Sequence, residues 1–206
     1  MKPIMIMDHC CYTKSGIINL IGKIKSRDVI LDVSSTNTLG DLFENITPRI
    51  VVINEDIINE NTPCLNEIKK TISEHVDVLF VIFVTSFNLR YQELVLLDDN
   101  VIICSKEIDT LTLNALFSSN FFSTPVADNI CRFILSPKER MLVSLWMAGM
   151  KTSDISKALS ICSKTVSTHK GNIKKKLRTH NMQVIYNVMR MSKLLLLTPR
   201  AGSYFS

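Results

Sequence analysis

The sequence predicts an α/β domain followed by an all-α domain, and three observations lead to this fold class. A chain of 206 residues is long enough for two small domains. In the first part, short runs of Val, Ile and Phe alternate with segments of helical length, whereas the second part carries helix start and stop signals. The charge also changes sign: residues 1–130 hold 10 Lys and Arg against 17 Asp and Glu, and residues 131–206 hold 14 against 2.

Five apolar runs in the first part predict β-strands. They span residues 3–7, 28–33, 49–54, 78–85 and 101–104. A helical spacing of apolar residues follows the first run, and a proline at a favourable first helical position follows the third. Strands that alternate with helices predict a parallel sheet covered by helices on both faces.

This order of elements over residues 1–120 resembles the receiver domain of two-component response regulators, and it implies a (βα)5 fold. In a working receiver, two acids after the first strand hold Mg²⁺, and an Asp after the third strand accepts a phosphoryl group. A Thr or Ser ends the fourth strand and a Lys ends the fifth. The corresponding residues are Asp8, Glu55, Thr85 and Lys106, with a methionine in place of the other acid. The resemblance therefore implies a receiver-like domain that lacks a complete phosphorylation site.

Two replacements predict that this domain accepts no phosphoryl group. The Met7 thioether is a poor ligand for Mg²⁺, which requires oxygen ligands in tight octahedral geometry. Glu55 is one methylene longer than Asp, and we expect it to pair with Lys106 instead of attacking phosphorus. Two alternatives stay open: Glu55 or Asp56 accepts phosphate in an unusual site, or both lie in a solvated acidic loop. No catalytic residue, metal or cofactor is expected.

A break in the strand and helix rhythm predicts a linker at residues 121–134. A helix then begins with a capping box, in which the side chains of Ser136 and Glu139 accept hydrogen bonds from each other's backbone N–H groups. Gly149 follows its last apolar positions as a stop signal. These signals predict the first helix of a domain that spans residues 135–197.

Two further helices joined by a short turn predict a helix-turn-helix. Thr152 or Ser153 can cap the first of them, and Ser163 can cap the second. The region around them carries a net charge of +12 over residues 131–206, which attracts a polyanion. The helix-turn-helix pattern favours double-stranded DNA over an anionic membrane surface as that polyanion.

The outer side of the second of these helices carries the candidate DNA contacts. Val166, Ile173 and Leu177 lie within about 40° of one another and form the core side. On the opposite side, small polar residues and a glycine let the backbone approach base edges, and lysines reach phosphates. The candidates on that side are Lys164, Ser167, Thr168, Gly171, Asn172 and Lys175, and the neighbouring Thr165, His169, Lys170 and Lys174 are also candidate DNA contacts. The alternative is an ordinary solvated helix face.

The second part of the chain resembles the LuxR-type four-helix DNA-binding domain over residues 131–196. The matching positions are Leu135 to Glu139, Ala148, Gly149, Ile155, Leu159, Ile161, Lys164, Thr165, Val166, His169, Ile173, Lys176 and Leu177. The resemblance implies that bases are read from Ser167, Thr168 and Gly171, and that phosphates are contacted by their neighbours. His169 either contacts DNA or is a half-buried structural residue.

A narrower resemblance covers both parts of the chain. The stretches 163–186, 52–56 and 6–16 are similar to accessory activators of capsular polysaccharide genes, which work with the response regulator RcsB. This resemblance implies that the partners are DNA and an RcsB-like response regulator in a heterodimer, or a homodimer of this chain. The ending LLLLTPRAGSYFS departs from the pattern, so a related regulator with its own promoter also fits. A third interpretation is a module that titrates another regulator without touching DNA.

Apolar positions in the last helix pattern predict a dimer surface. Val184, Ile185, Val188, Met189 and Leu196 lie on more than one face of that helix. This is more apolar surface than a monomer is expected to hide.

The remaining features predict a cytoplasmic protein. The apolar segment 4–7 is too short for a signal sequence, and the leucine run at 194–197 is too short to span a membrane. The cysteines show no metal-ligand spacing, and we expect them in the core. They are Cys10, Cys11, Cys64, Cys104, Cys131 and Cys162.

Overall fold

A mixed sheet forms the centre of the first part of the molecule. The computed structural model describes residues 2–24, 30–32, 39–60, 62–85, 91–118 and 120–195. The strands are β1 (Ile4–Met7), β2 (Ile30–Asp32), β3 (Ile50–Asn54), β4 (Leu79–Val84), β5 (Val95–Asp98), β6 (Val101–Ser105) and β7 (Cys131–Arg132). Their order is β2-β1-β3-β4-β6-β5-β7, and the first five strands of that order pair in parallel. The predicted parallel pairing of five strands is confirmed.

Helices cover both faces of this sheet, as predicted. They are α1 (Cys11–Ile24), α2 (Leu39–Asn45), α3 (Glu55–Glu60), α4 (Thr62–Glu74), α5 (Thr110–Leu116) and α6 (Pro125–Asp128). Ile4 and Ile6 of β1 pack on the face covered by α1 and α5, whereas Met5 and Met7 pack on the face covered by α2, α3 and α4. Because both faces are covered, every residue of β1, β3, β4 and β6 is buried.

The parallel strands end together at one edge of the sheet. The register pairs Met7 at the end of β1 with Ile53 of β3, and it pairs the last residues of β4 and β6 with each other. Asp8 and Lys106 directly follow β1 and β6, and Glu55 directly follows β3. We call this the carboxyl edge, and it is where ligands bind in open α/β sheets.

The sheet departs from strict (βα)5 alternation between β4 and β6. Within the described residues 91–105, no helix precedes β6: residues 95–98 form β5, which pairs antiparallel with β6. Asp99 and Asn100 make the tight turn between the two strands. The run Leu94 to Leu97 is buried, so its apolar side chains extend the sheet by one strand beyond the five that the sequence predicts.

The stretch predicted as a linker is itself folded. After a short 3-10 turn at Phe121–Ser123, Thr124 caps α6 by accepting a hydrogen bond from the Ala127 N–H. The chain then forms β7, which pairs with β5. Three apolar residues of this stretch, Phe121, Ala127 and Ile130, are buried on the face of α1 and α5. They tie residues 121–134 to the α/β domain.

Four helices form the second part of the molecule. They are α7 (Pro137–Met147), α8 (Thr152–Ala158), α9 (Ser163–Lys176) and α10 (Met182–Leu195). The capping box of α7 is confirmed: the Glu139 N–H donates to Ser136 Oγ over 3.2 Å, and the Ser136 N–H donates to Glu139 Oε2 over 2.9 Å. Gly149 has φ 79°, a left-handed conformation that suits a residue just past a helix end.

The predicted caps of α8 and α9 are wrong. Thr152 and Ser163 are the first helical residues, and the capping positions are Lys151 and Cys162, whose side chains make no capping hydrogen bond in the described chain. Each helix therefore begins one residue earlier than a hydroxyl cap at Thr152 or Ser163 requires. Ile155 and Val166, in the first turn of each helix, are both fully buried.

The apolar surface of α10 is covered within the chain, in contrast to the predicted free dimer surface. Val184, Ile185, Val188 and Met189 are buried, and α10 packs against α4 of the α/β domain. Leu196 lies outside the described residues. The buried residues of α10, α4 and α3 belong to one apolar cluster that spans both parts of the molecule.

The ion pair of Glu139 yields a stability prediction. Burial alone would raise the pKa of this carboxyl, but hydrogen bonds from Lys176 and from the capping box outweigh burial, and its pKa is lowered from 4.5. A lowered pKa means that the stabilisation is present above the unfolded value and is lost as the pH falls through the folded value. We expect Glu139→Gln to lower the free energy of unfolding by about 1 kcal/mol at pH 7 and to flatten its fall below about pH 4.5.

Urea denaturation at several pH values measures this effect. Glu107→Gln is the matched control, because Glu107 is exposed. Equal pH dependence in both variants would show that Glu139 does not carry the stabilisation.

Candidate nucleic-acid interface and carboxyl edge

A tight turn sets the position of α9 relative to α8. Ser160 adopts φ 51°, in the left-handed region that residues other than glycine rarely occupy. Ser156 Oγ in α8 donates to the Ile161 carbonyl over 2.7 Å and closes the turn. The two helices therefore form the predicted helix-turn-helix, with a geometry fixed by local hydrogen bonds.

The inner side of α9 is the predicted core side. Val166, Ile173 and Leu177 are each 0% exposed. They join Leu142 and Ile155 of α7 and α8 in the apolar cluster. This packing fixes the rotation of α9, and so it fixes which residues face solvent.

The outer side of α9 is open to a ligand. Its exposed residues include Lys164, Ser167, Thr168, Asn172 and Lys175. Gly171 is half-exposed, and apart from its chain neighbours and the adjacent helix backbone no heavy atom of the described chain lies within 4 Å of the position that a Cβ would take. We call these six residues the reading face. It is polar, contains one residue without a side chain and carries two lysines, as base and phosphate contacts require.

The hydroxyl groups of the reading face are held by the helix itself. Ser167 Oγ donates to the Ser163 carbonyl over 3.1 Å, and Thr168 Oγ1 donates to the Lys164 carbonyl over 3.0 Å. The hydroxyl lone pairs remain available as acceptors, and rotation about χ1 frees the protons. Both residues can therefore offer either hydrogen-bonding role to a base edge.

The lysines Lys170 and Lys174 lie at the side of the reading face. Their Nζ atoms are 4.8 and 6.0 Å from the centre of the Trp146 ring, and Lys170 Nζ also donates to Thr152 Oγ1 over 3.2 Å. Burial lowers the pKa of Lys170, and the charge of Lys174 lowers it further. The structure thus places these two candidates against α7 through cation–π contacts.

Two other predicted DNA contacts, Thr165 and His169, lie close to other groups of the protein. The Thr165 hydroxyl lies 3.0 Å from Cys162 Sγ at the start of α9. His169 is half-buried, and its Nδ1 atom is buried with no hydrogen-bond partner in the described residues. Lys176, which is not among the predicted DNA contacts, donates to Glu139 and to the Ile134 carbonyl.

At the carboxyl edge, Asp8 is the centre of a buried polar group. Its Oδ2 accepts from Lys106 Nζ over 3.1 Å, and its Oδ1 accepts from Asn54 Nδ2 over 2.8 Å and from the Cys10 N–H over 2.7 Å. The residue is 3% exposed. Its lone pairs are directed at protein donors, and Lys106 supplies the compensating charge.

Glu55 is held by different residues than predicted. Its carboxylate accepts from the Thr85 N–H over 2.7 Å and from Thr85 Oγ1 over 3.2 Å, and Arg190 of α10 donates to it. Among described residues the Lys106 ammonium bonds Asp8 and Thr13, so the predicted Glu55–Lys106 pair is wrong. Glu55 is 2% exposed, which also contradicts a solvated acidic loop. Arg190 is separated from Glu55 by 135 residues, and no local pattern points to it.

The cysteines divide into two groups, which corrects the expectation that all lie in the core. Cys104 and Cys131 are buried, and burial raises the pKa of Cys131 to about 11. Cys10, Cys11 and Cys162 are exposed. The side chain of Cys64 lies outside the described residues.

None of the helices in the described part of the chain combines the length and apolar character that a membrane span needs.

Known proteins match both parts of the sequence. Residues 3–127 match the family described as transcriptional regulator RcsA, N-terminal dimerisation domain, and residues 134–189 match bacterial regulatory proteins of the luxR family. Transcriptional regulatory protein RcsA of Erwinia amylovora is 35% identical over 199 residues, which cover 92% of this chain and 94% of that protein. RcsA of Salmonella typhimurium is 37% identical over 197 residues, which cover 91% and 93%.

Solved structures share the fold. RcsB in a structure of two RcsB dimers bound to two parallel DNAs matches with a TM-score of 0.54 and 17% identity, over 92% of this chain and 98% of that chain. RcsB from Salmonella enterica serovar Typhimurium bound to promoter rprA gives the same values. The structural likeness confirms the predicted fold class, and the sequence matches confirm the predicted family. This chain belongs to the RcsA family of transcriptional regulators, with a LuxR-type DNA-binding domain in its second part.

Proposed function

We propose that this chain is a cytoplasmic, sequence-specific activator of capsule or exopolysaccharide genes that binds DNA together with an RcsB-like response regulator. The observation that carries the proposal is the reading face of α9. The family is one of transcriptional regulators, not of enzymes. Within it, the reading face supplies the surface through which one operator is distinguished from another.

The chemistry of the reading face supports binding to the DNA major groove. An α-helix fits into that groove, and each base pair presents a distinct donor and acceptor pattern there. Ser167, Thr168 and Asn172 offer donors and acceptors, and the open Gly171 allows close approach. Lys164 and Lys175 are exposed at the same face, and they provide phosphate contacts that hold the helix in register.

A protein partner is supported by the first part of the chain. Residues 3–127 match a domain described as a dimerisation domain. The choice of an RcsB-like partner rests on the names of the relatives and on the shared fold with RcsB. A homodimer is the alternative, and a module that only titrates another regulator is a further one.

Independence from phosphate is supported by the contacts at the carboxyl edge. Asp8 already accepts three hydrogen bonds, and Glu55 accepts bonds from Thr85 and Arg190. A phosphoryl group at Glu55 would have to displace Arg190 and would lack the second acid that a metal needs. We infer that the edge has a structural role in this protein.

Gly171→Glu tests the reading face. The new side chain enters open space, so it leaves the fold intact but adds bulk and negative charge towards DNA. We expect specific footprints to disappear, because each base interaction that is prevented costs about 1 to 3 kcal/mol of binding free energy. The matched control is Gly16→Glu in α1, where a Cβ also meets open space. Unchanged footprints with Gly171→Glu would exclude the reading face.

Lys175→Ala tests the phosphate contacts. Because phosphates carry no sequence information, binding to all sequences should weaken alike, and the slope of log K against log salt should fall by about one. Lys138→Ala, at an exposed lysine of α7, serves as the control. Filter binding at several salt concentrations measures the slope, and an unchanged slope would place Lys175 away from the backbone.

Labelling with acetyl phosphate and Mg²⁺ tests the alternative function, that of a phosphoryl-accepting response regulator. We expect no label on the wild-type chain and none on Glu55→Asp, because Met7 still deprives a metal of its second carboxylate. The RcsB-like partner is the positive control. Stoichiometric, hydroxylamine-sensitive label on the wild-type chain would show an acyl phosphate. It would establish that the chain is a phosphoryl-accepting regulator.

Footprinting with and without the partner tests the assembly. We expect the mixture with an RcsB-like regulator to protect an asymmetric site with two half-sites roughly one helical turn apart. A palindrome protected equally well by this chain alone would favour the homodimer. A decrease in partner binding to DNA, without a footprint from this chain, would favour titration.

A further inference from the structure

The carboxylate of Glu55 connects the two parts of the molecule. It receives the Thr85 N–H from the end of β4 and the guanidinium of Arg190 from α10. The Glu55 side chain is 3% exposed and the Arg190 side chain is 27% exposed, so water competes little for the carboxylate. A buried carboxylate that loses its cation is strongly disfavoured, which makes this pair sensitive to any movement of α10.

Further hydrogen bonds among the described residues join the same two parts. Tyr91 Oη donates to the Leu177 carbonyl over 2.8 Å, and Arg178 donates to Glu93 Oε2 over 2.9 Å. Tyr91 is 6% exposed, whereas the Arg178–Glu93 pair is substantially exposed and contributes little. Glu55–Arg190 is therefore the ion pair between the two parts with the most buried carboxylate among the described ones.

The packing around this pair shows what it controls. The apolar side of α10 belongs to one cluster with Ile68 and Ile72 of α4 and Ile57 of α3. While Arg190 is bound to Glu55, this side of α10 is closed to any other chain. The reading face on α9 stays exposed at the same time.

We propose that Glu55 and Arg190 form a charge latch that holds α10 against the α/β domain. The latch needs no phosphate, because the carboxylate that occupies the position of the phosphoryl acceptor itself supplies the negative charge. Breaking it hydrates Glu55 and releases α10, so a chain that packs on α10 must first open the latch. The latch belongs to the closed state of the free protein and does not depend on DNA binding.

The nitration rate of Tyr91 by tetranitromethane in the full-length protein measures opening. Tyr91 is buried where the two parts meet, whereas Tyr12 is 85% exposed and serves as an internal reference. Only molecules that open expose the Tyr91 phenol, so its rate relative to Tyr12 is proportional to the open population. We expect Arg190→Gln and Glu55→Gln each to raise this ratio by roughly tenfold, as loss of one charged hydrogen bond implies.

Three further variants provide controls. Lys193→Gln removes a charge from an exposed position of α10, and Asp56→Asn does so next to Glu55, so both should match wild type. Arg190→Lys keeps the charge and should keep most of the closure. Cys104, which is fully buried in β6, reacts with a thiol reagent only on global unfolding and reports whether each variant is folded.

The nitration rates of Tyr91 in these variants decide whether the latch exists. Faster Tyr91 nitration in Arg190→Gln, with Lys193→Gln and Arg190→Lys near wild type, supports the latch. A wild-type rate in Arg190→Gln, or an equal increase in Lys193→Gln, overturns it. If Cys104 shows that Glu55→Gln is unfolded, the comparison of the Arg190 variants decides alone.

Discussion

A buried carboxylate at the end of β3 determines how the two parts of this protein are arranged. Glu55 is almost fully excluded from water, so it requires donors, and it finds them in the Thr85 N–H and in Arg190. Because Arg190 belongs to α10, satisfying the carboxylate also positions that helix over α4. The hydrophobic contact and the ion pair then depend on each other, since separation of the helices would hydrate both.

The positive charges of the second part serve two purposes. Lys176 stabilises the capping box of α7 through Glu139, and Lys170 and Lys174 lie over Trp146. The lysines that remain exposed on the reading face, Lys164 and Lys175, are those available to phosphates. A net charge therefore overstates the electrostatic contact with DNA, because part of it neutralises or packs against the protein itself.

Local patterns predicted the elements well and the long-range contacts poorly. The apolar runs of the parallel strands, the capping box at Ser136 and the core side of α9 are each determined by residues close in sequence, and the structure has all three. The partner of Glu55 is 135 residues away, and β5 depends on a neighbour that only the folded sheet provides. The predicted pairing of Glu55 with Lys106 followed from family resemblance. In the structure Glu55 instead binds Arg190, a cation from outside that domain, and Lys106 binds Asp8.

Glu55 and Arg190 interact directly, and we propose that this contact holds the two parts together. A double-mutant cycle with Glu55→Gln, Arg190→Gln and the double variant, followed by urea denaturation and Trp146 fluorescence, measures their coupling free energy. We expect a favourable coupling of about 1 to 2 kcal/mol, in the range of a partly buried charged hydrogen bond. A coupling energy near zero, with both single variants folded, would contradict it.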